Sequence, residues 1–380
     1  MIRAPETRAD RATLSNAYGD RLTERTVIAY LDEKGLIRPR AIVDGWVRVE
    51  RVSRRNLSFR VTTALGPHYF IKQGLGVERA ATVAREAAFL HAIDAAPDAK
   101  RLQRVLPRVR DWDEERHILI FDLVPGARSL DEHHHRTGRW SSALAHHAAL
   151  ALRRLHRWQP ASTGSGIEAE SRPPWVLSID RPEQAFLNRV SGGSLDVIKI
   201  AQSAGPLLAE FDALRIGWQP GSIIHADVKW DNFVVHPTGK AHAPRLTLVD
   251  CEMVQLGDPL WDVGSYLSQY LDTWISSIPA SENSPLSQAR AASVPLQRLQ
   301  PAIQQFWKSY AGGNGSESAD GGAALRLMVR YAAARLVQTA IEAESLRPVA
   351  SNTSVLRLQV AENMLQRPGE AASSLFGLTQ

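Results

Sequence analysis

The stretch of sequence that decides the fold consists of two motifs, IIHADVKWDNFVV at residues 223–235 and LTLVDCEMVQLGDPLWDVGSY at residues 246–266. Each contains a short apolar run, and Pro and Gly punctuate the connector between them, a pattern that predicts a β-hairpin. Because the strands of a hairpin are antiparallel, the start of the first strand lies beside the end of the second. Polar residues stand at that end: His225, Asp227 and Asn232 before the first strand, and Asp250 and Glu252 after the second.

We therefore expect carboxylate and amide oxygens to converge at one end of a small sheet. Oxygen ligands of this kind suit Mg²⁺, which binds through a few carboxylates together with phosphate oxygens. Such a site is typical of phosphoryl transfer, where catalysis consists mostly of positioning and charge neutralisation. The stretch thus indicates an enzyme that handles phosphate groups.

The composition of the chain sets its broad class. Its 380 residues are 44% hydrophobic and 22% charged, which is typical of a soluble globular protein with room for two lobes. There is no long uncharged apolar run and no apolar signal segment at the N-terminus, so we expect no membrane partner. The single cysteine, Cys251, forms no internal disulfide, and together these features predict a cytoplasmic location.

The positive charge of the chain is a weaker guide to partners. The formal net charge is +5, and 38 of the 45 basic residues are arginine. Arginines could contact phosphate or acidic peptides, although a bias in base composition explains the same count. Without an RNA-binding motif or a strongly basic block, we predict no nucleic-acid partner. The run from His133 to His135 has no companion metal ligands, and we expect it to be the solvated start of a helix.

Periodicity divides the chain into three parts. Alternating apolar and polar residues predict five strands, at residues 46–52, 58–63, 69–72, 109–112 and 117–124. One helix, from about residue 78 to 94, is inserted after the third strand. Helical periodicity takes over after Gly126, at residues 140–158, about 180–215, 259–271, 296–311, 322–346 and 352–366. We therefore expect a mostly helical extension over residues 1–45, a β-rich lobe over residues 46–124 and a helical lobe over residues 125–380.

The two motifs resemble the phosphotransfer core of the protein-kinase-like superfamily. Within it they are most similar to the aminoglycoside phosphotransferase and choline kinase branch. Asp250-Cys-Glu252 replaces the Asp-Phe-Gly of protein kinases, and Gly257-Asp-Pro-Leu-Trp-Asp262 resembles a signature of that branch. The resemblance covers roughly residues 46–345. It implies an α+β, bilobal fold with a small five-stranded antiparallel N-lobe, a larger, mainly helical C-lobe, and ATP between them.

The resemblance also implies roles for residues of the hairpin stretch. Asp227 corresponds to the catalytic base that orients the acceptor hydroxyl and takes its proton. Asn232 and Asp250 correspond to the Mg²⁺ ligands, while Glu252 either reaches a second metal ion through water or caps a turn. Lys229 either offsets charge on the γ-phosphate or is a solvated side chain.

In the first lobe, Lys72 ends a strand and resembles the lysine that holds the α- and β-phosphates. Glu86, on the following helix, is its expected ion-pair partner, with Glu78 as the alternative. The turn that begins at Ser53 contains no glycine, unlike the phosphate-covering loop of protein kinases. Ser53 and its neighbours therefore either contact phosphate or form an ordinary exposed turn.

The segment from Phe121 to Gly126 resembles the hinge between the lobes. The backbone of Asp122 and Val124 would then meet the adenine edge, since backbone groups suffice for that base. His225 resembles a buried residue that organises the catalytic loop. Asp262 resembles the helix carboxylate that accepts backbone N–H groups of that loop. We expect both to support the site without taking part in the chemistry.

Together these features predict an ATP- and Mg²⁺-dependent phosphotransferase that phosphorylates a hydroxyl group. The acceptor expected first is a small molecule or natural product. The chain is basic, and its helical lobe shows no acidic cluster along the sequence. Both facts argue against a polycationic aminoglycoside, which would need negative charge around it.

Two other interpretations stay open. Some kinases of this branch phosphorylate Ser or Thr in ribosomal precursor peptides before a partner lyase eliminates the phosphate. The sequence HADVKWDN, Lys229 within it and the leading helical segment resemble that group. The third interpretation is a non-catalytic nucleotide-binding scaffold, or pseudokinase. The intact set of Lys72, Asp227, Asn232 and Asp250 argues against it.

Overall fold

The computed structural model of the chain describes residues 21–38, 40, 43, 45–52, 57–64, 66–159, 171–237, 245–279, 291–312 and 319–379. These residues fall into two units. The first lies within Met1–Pro97 and Leu106–Gly126, and the second within Asp98–Val105 and Ala127–Gln380. Among the described helices, none combines the length and the apolar character that a membrane span requires.

The first unit is built on a five-stranded antiparallel sheet, in the spatial order β1-β2-β3-β5-β4. The strands are β1 (Val47–Arg51), β2 (Leu57–Thr63), β3 (Tyr69–Gln73), β4 (Val109–Asp113) and β5 (Ile118–Asp122). The unit also contains the helices α1 (Thr26–Glu33) and α2 (Val77–Ala95). Strand β5 pairs on both sides, and its apolar run from Ile118 to Phe121 is entirely buried. The five predicted strands and the inserted helix are confirmed.

Helix α1 packs against this sheet. Val27, Tyr30 and Leu31 lie on one face of the helix and are buried, in a cluster that includes apolar residues of β2, β3 and β5. Just after the helix, the hydroxyl of Tyr69 donates to the backbone oxygen of Leu36 (2.9 Å). The segment that contains α1 is therefore part of the hydrophobic core of the first unit.

The second unit is mainly helical, as predicted. Its helices are α3 (Lys100–Gln103), α4 (Leu130–Thr137), α5 (Ser142–Arg157), α6 (Gln184–Leu187), α7 (Gly192–Ser203), α8 (Gly205–Ile216), α9 (Pro259–Ser276), α10 (Leu296–Ala311), α11 (Ala319–Ala343), α12 (Asn352–Gln366) and α13 (Pro368–Ser374). Its strands are β6 (Arg128–Ser129), β7 (Ser222–Ile224), β8 (Phe233–Val235), β9 (Leu246–Leu248) and β10 (Gln255–Gly257). The predicted hairpin is β8 paired with β9, while β7 pairs with β10.

Some helices differ from the predicted ones. The helical pattern around residues 180–215 is divided into α6, α7 and α8. Ser191 caps α7 by accepting the N–H of Ser194, and proline in the first turn begins α8 anew. Helix α9 runs beyond residue 271 to Ser276, because the additional turn buries Trp274 and Ile275. The terminal helix α13 was not predicted.

Helices α9 and α11 approach each other closely at Gly264. A Cβ at this position would lie 2.8 Å from the backbone nitrogen of Ala332 and 2.9 Å from the backbone oxygen of Met328. Such close approach of two backbones needs a residue without a side chain. The contact bears on the functional site, because Asp262 precedes Gly264 in the same helix.

We expect Gly264→Ala to lower the free energy of unfolding by about 1–3 kcal/mol, because the two helices must move apart. This loss exceeds the helix propensity gained by alanine, which is at most about 1 kcal/mol. Gly205→Ala is the matched control, since its new Cβ would have no atom within 4 Å. Denaturant unfolding followed by circular dichroism compares the variants, and equal unfolding midpoints would contradict this account of the crossing.

Candidate active site

The loop between β7 and β8 is held by the carboxylate of Asp262, in the first turn of α9. Asp262 is fully buried. Its Oδ2 accepts the backbone N–H of His225 (2.6 Å), and its Oδ1 accepts that of Ala226 (3.0 Å). The Nε2 atom of His156, on α5, lies 3.0 Å from Oδ2. Three hydrogen-bonding groups on one buried carboxylate fix the loop that carries Asp227.

Two residues of the site adopt left-handed backbone conformations. The angle φ is +64° at Ala226 and +66° at Asp250, which costs of order 1–3 kcal/mol for a residue other than glycine. Besides its N–H bond to Asp262, Ala226 accepts the indole N–H of Trp261 at its carbonyl oxygen (3.3 Å). Strain that surrounding contacts maintain in this way is typical of functional loops.

Asn232 and His225 connect this loop to the segment that carries Asp250. The Nδ2 group of Asn232 donates to the backbone oxygen of Asp227 (2.8 Å), which leaves its amide oxygen for another partner. The backbone N–H of Val249 donates to the backbone oxygen of Asn232 (2.8 Å). The ring of His225 is buried, with Nε2 3.0 Å from the backbone oxygen of Val249. Asp250 follows Val249 directly, so its position depends on these contacts.

The oxygen donors of this segment fit a hard cation. They are the amide oxygen of Asn232, which is 4% exposed, and the carboxylate of Asp250. Glu252 follows in the short 3₁₀ turn Cys251–Met253. An amide oxygen with carboxylates is the donor chemistry that Mg²⁺ prefers. All three residues belong to the second unit.

In the first unit, Lys72 and Glu86 form a buried ion pair. The Nζ atom of Lys72 lies 2.8 Å from Oε2 of Glu86, and the two side chains are 5% and 1% exposed. The alternative partner, Glu78, lies exposed in the first turn of α2. A buried lysine and glutamate are tolerated because each compensates the other, and removing one leaves an uncompensated charge that costs about 3–5 kcal/mol.

The segment predicted to bind adenine follows β5. The N–H of Asp122 donates to the backbone oxygen of Arg108 (3.2 Å), and the N–H of Leu123 donates to the backbone oxygen of His68 (2.9 Å). Among the described residues, nothing accepts the N–H of Val124, a residue that is 37% exposed. The N–H of Val124 is therefore a backbone donor that an adenine edge could use. Ser53 lies outside the described residues.

Comparison with known sequences decides the family. The profile of the phosphotransferase enzyme family (APH) matches residues 49–299, well over half of the chain. The chain belongs to the phosphotransferase enzyme family. It is an ATP-dependent kinase that acts on hydroxyl groups. No curated protein matches the chain.

Solved structures with a similar fold agree with this family. One is a choline/ethanolamine kinase family protein from Mesorhizobium loti, with 17% identity, a TM-score of 0.50 and coverage of 90% of this chain and 96% of that one. A choline kinase from Cryptosporidium parvum has 12% identity, a TM-score of 0.54 and coverage of 92% and 96%. The amicoumacin kinase hAmiN has 14% identity, a TM-score of 0.50 and coverage of 91% and 96%. At these identities the likeness shows the fold and not the acceptor.

In this phosphotransferase two cations flank Asp227. Lys229 Nζ lies 2.7 Å from Oδ2 of Asp227, and Arg335 Nη2 lies 3.8 Å from Oδ1. Arg335 stands on α11, is 3% exposed, and has the same Nη2 atom 3.5 Å from Oε2 of Glu342. Arg335 was not among the predicted site residues. Its signal was a lone charge within the apolar run AAARLV at residues 332–337, since a buried charge needs a partner.

The two cations set the charge state of Asp227. Burial alone would raise the pKa of Asp227, but the charges of Lys229 and Arg335 hold that pKa below its ordinary value. A carboxylate with a lowered pKa is ionised throughout the neutral range. Lys229 is thus paired with the predicted base, and its side chain is only 29% exposed.

The expectation of a solvated histidine run is wrong for His134. This residue is buried in α4, and its ring lies edge-on to Trp230 with 4.4 Å between the ring centroids. Burial lowers the pKa of His134 to about 3. The neutral ring is therefore part of the packing under the turn Trp230–Asn232.

The second unit also contains an acidic cluster that the sequence does not reveal. Burial, and then the charges of Asp231 and Asp272, raise the pKa of Asp131. Asp272 is paired with Arg357 at 2.6 Å. The three aspartates come from separate segments, so no acidic run marks them. The absence of an acidic run in the sequence is therefore not an argument about the acceptor.

Replacing Arg335 should shift the pH dependence of the reaction. In Arg335→Gln, Asp227 loses one of its two cations, so its pKa rises and the acid limb of kcat/KM moves to higher pH. Arg335→Lys keeps the charge and should stay close to the wild-type profile. Slow ATP hydrolysis, with water as the acceptor, provides the rate over about pH 4–9. An unchanged acid limb in Arg335→Gln would mean that Arg335 only packs.

Proposed function

We propose that Asp227 is the catalytic base of this kinase. The proposal rests on the carboxylate of Asp227. Hydrogen bonds to Asp262 hold the loop that carries it, and two adjacent cations lower the pKa of Asp227. The acceptor oxygen attacks the γ-phosphorus, the bond to the β,γ-bridging oxygen breaks, and ADP leaves with that electron pair. Asp227 orients the hydroxyl and takes its proton.

Lys229 has a second role in this proposal. Its ammonium group donates to Oδ2 of Asp227 at 2.7 Å, an oxygen that the acceptor hydroxyl also needs. Movement of Lys229 towards the transferred phosphoryl group would free that oxygen and offset the negative charge on the phosphate. His225 and Asp262 keep the loop in place and take no part in proton transfer.

The nucleotide is assigned to residues of the first unit. Lys72, oriented by Glu86, holds the α- and β-phosphates of ATP. The carbonyl of Asp122 and the N–H of Val124 meet the adenine edge. Ser53 stays a candidate for phosphate contact. The cytoplasm stays our prediction for where the reaction occurs.

Mg²⁺ is assigned to the second unit. The amide oxygen of Asn232 and the carboxylate of Asp250 would hold it. Glu252 would either reach a second ion through water or cap its turn. The ion would neutralise charge on the phosphate oxygens. The hydrogen bond from Asn232 to the backbone of Asp227 supports the assignment, because it leaves the amide oxygen available.

Substitution of Asp227 separates chemistry from nucleotide binding. Asp227→Asn should lower the rate of phosphoryl transfer by about 10²–10⁴-fold, since asparagine cannot accept the proton, while ATP affinity changes little. Lys72→Met should weaken ATP binding, measured by calorimetry. Asp180→Asn, at an exposed aspartate, is the control and should match the wild type. If Asp227→Asn transferred phosphate at the wild-type rate, the assignment of the base would be wrong. If the wild type bound the nucleotide but transferred no phosphate, the scaffold interpretation would be favoured.

For the acceptor, we infer a neutral or acidic hydroxyl compound, with a small molecule or natural product as the first candidate. The inference rests on the two cations at Asp227. A positively charged group placed near the reacting hydroxyl would be repelled by them, and like charges in a partly buried site repel strongly. The second candidate is a Ser or Thr of a precursor peptide, followed by elimination on a partner lyase, because a peptide hydroxyl is flanked by neutral amides.

An acceptor panel tests this inference. With labelled ATP, neutral polyhydroxyl compounds or Ser- and Thr-containing peptides should be phosphorylated in preference to choline and aminoglycosides. In Arg335→Gln, discrimination against cationic acceptors should weaken, because one repelling charge is gone. Preferential transfer to choline or an aminoglycoside by the wild type would contradict the inference about charge while leaving the assignment of Asp227 intact.

A further inference from the structure

A cavity of about 610 Å³ lies in the second unit, beside the second half of α5. Arg101 of α3 lines one side, and Arg153, Arg154 and Arg157 of α5 line the other. We call this cavity the arginine pocket. Its volume is in the range of small-molecule sites, and none of its residues has a role in the phosphotransfer site.

The arginine pocket is rich in positive charge. Among the described residues of its lining, four are arginines and one, Asp98, is acidic. Among the described residues, no carboxylate forms an ion pair with Arg101, Arg153 or Arg154. Burial, and then the charges of Arg101 and Arg104, lower the pKa of Arg154. The guanidinium groups therefore repel one another, and a bound anion would relieve that repulsion.

The abundance of arginine in the chain does not explain this arrangement. Several other buried or partly buried arginines of the same unit are matched with a carboxylate. Arg330 pairs with Glu210 at 2.6 Å, Arg357 with Asp272 at 2.6 Å, and Arg335 with Asp227 at 3.8 Å. Arg153 and Arg154 of the arginine pocket are also partly buried, yet among the described residues they have no such carboxylate partner.

One arginine of the pocket is held in place yet has a donor to spare. Arg153 donates through Nη1 to the backbone oxygen of Ser309 (3.4 Å), while its Nε atom is buried and has no hydrogen-bond partner within the described part of the chain. A buried donor without a partner is costly, and a ligand or a water can satisfy it. Leu102 and Leu150 add an apolar part to the lining.

We propose that the arginine pocket binds a small organic phosphate or pyrophosphate, at a site separate from the phosphotransfer site. Guanidinium groups from two helices surround the cavity, and their planar donor geometry matches phosphate oxygens. A ligand with at least two negative charges contacts both Arg101 on α3 and the arginines of α5. The apolar residues suit a carbon body attached to the anionic group.

The pocket is connected with the catalytic loop through α5. Between Arg154 and Arg157 lies His156, whose ring contacts Oδ2 of Asp262 (3.0 Å). Anion binding therefore stiffens the same helical turn that supports the loop of Asp227. This connection gives a second readout, because the ligand should raise the thermal stability of the full chain as well as bind.

Calorimetry with inorganic pyrophosphate on the full-length protein tests the proposal. The wild type should bind it with a Kd below about 1 mM. Arg101→Gln and Arg154→Gln should each weaken binding about tenfold or more, because each removes a charge-assisted contact. Arg139→Gln removes the same charge from an exposed position outside the pocket and should leave the affinity unchanged. Pyrophosphate should raise the melting temperature of the wild type and of Arg139→Gln by similar amounts, and that of Arg101→Gln and Arg154→Gln by less.

The nucleotide site also takes phosphate groups, so the titration is repeated in Lys72→Met. Affinity retained in Lys72→Met and lost in Arg154→Gln supports the arginine pocket. Affinity lost in Lys72→Met and retained in Arg154→Gln overturns it, and so does the absence of binding in the wild type. Binding of an acidic peptide or an RNA oligomer in place of pyrophosphate also overturns it. None of these outcomes alters the test of Asp227, which measures transfer.

Discussion

The buried carboxylate of Asp262 is the interaction on which the active site depends. It receives the backbone N–H groups of two consecutive loop residues and the ring of His156. These contacts hold Ala226 in a left-handed conformation that costs of order 1–3 kcal/mol on its own. Because Asp262 belongs to α9, and α9 lies against α11 at Gly264, the position of the loop that carries Asp227 depends on helix packing far along the chain.

The charge state of Asp227, the proposed base, depends on two separate elements. Lys229 comes from the loop itself, whereas Arg335 comes from α11. Together they overcome the desolvation that would otherwise raise the pKa of Asp227. In the function that we propose, the same two charges also favour a neutral or acidic hydroxyl compound over a cation. Ionisation of Asp227 and the proposed choice of acceptor would then have one physical origin.

Helix α5 serves two sides of the second unit. Its last turns carry His156, which contacts the carboxylate of Asp262. They also carry most of the arginines around the 610 Å³ cavity. A helix transmits displacement along its length because its hydrogen bonds resist local deformation. An anion in the arginine pocket would therefore act on a rigid element that the active site already uses.

The sequence by itself determined the features that depend on local spacing. Alternation marked the five strands, and each motif could be read because its own residues lie within a few positions of one another. The order of Lys72, Glu86 and the hairpin motifs then indicated the phosphotransfer chemistry. The tertiary structure alone decided which distant groups meet. Arg335 next to Asp227, His156 on Asp262, His134 under Trp230 and the clustered aspartates all join segments far apart in the chain. Burial and long-range charge have no periodicity in sequence, so only packing reveals them.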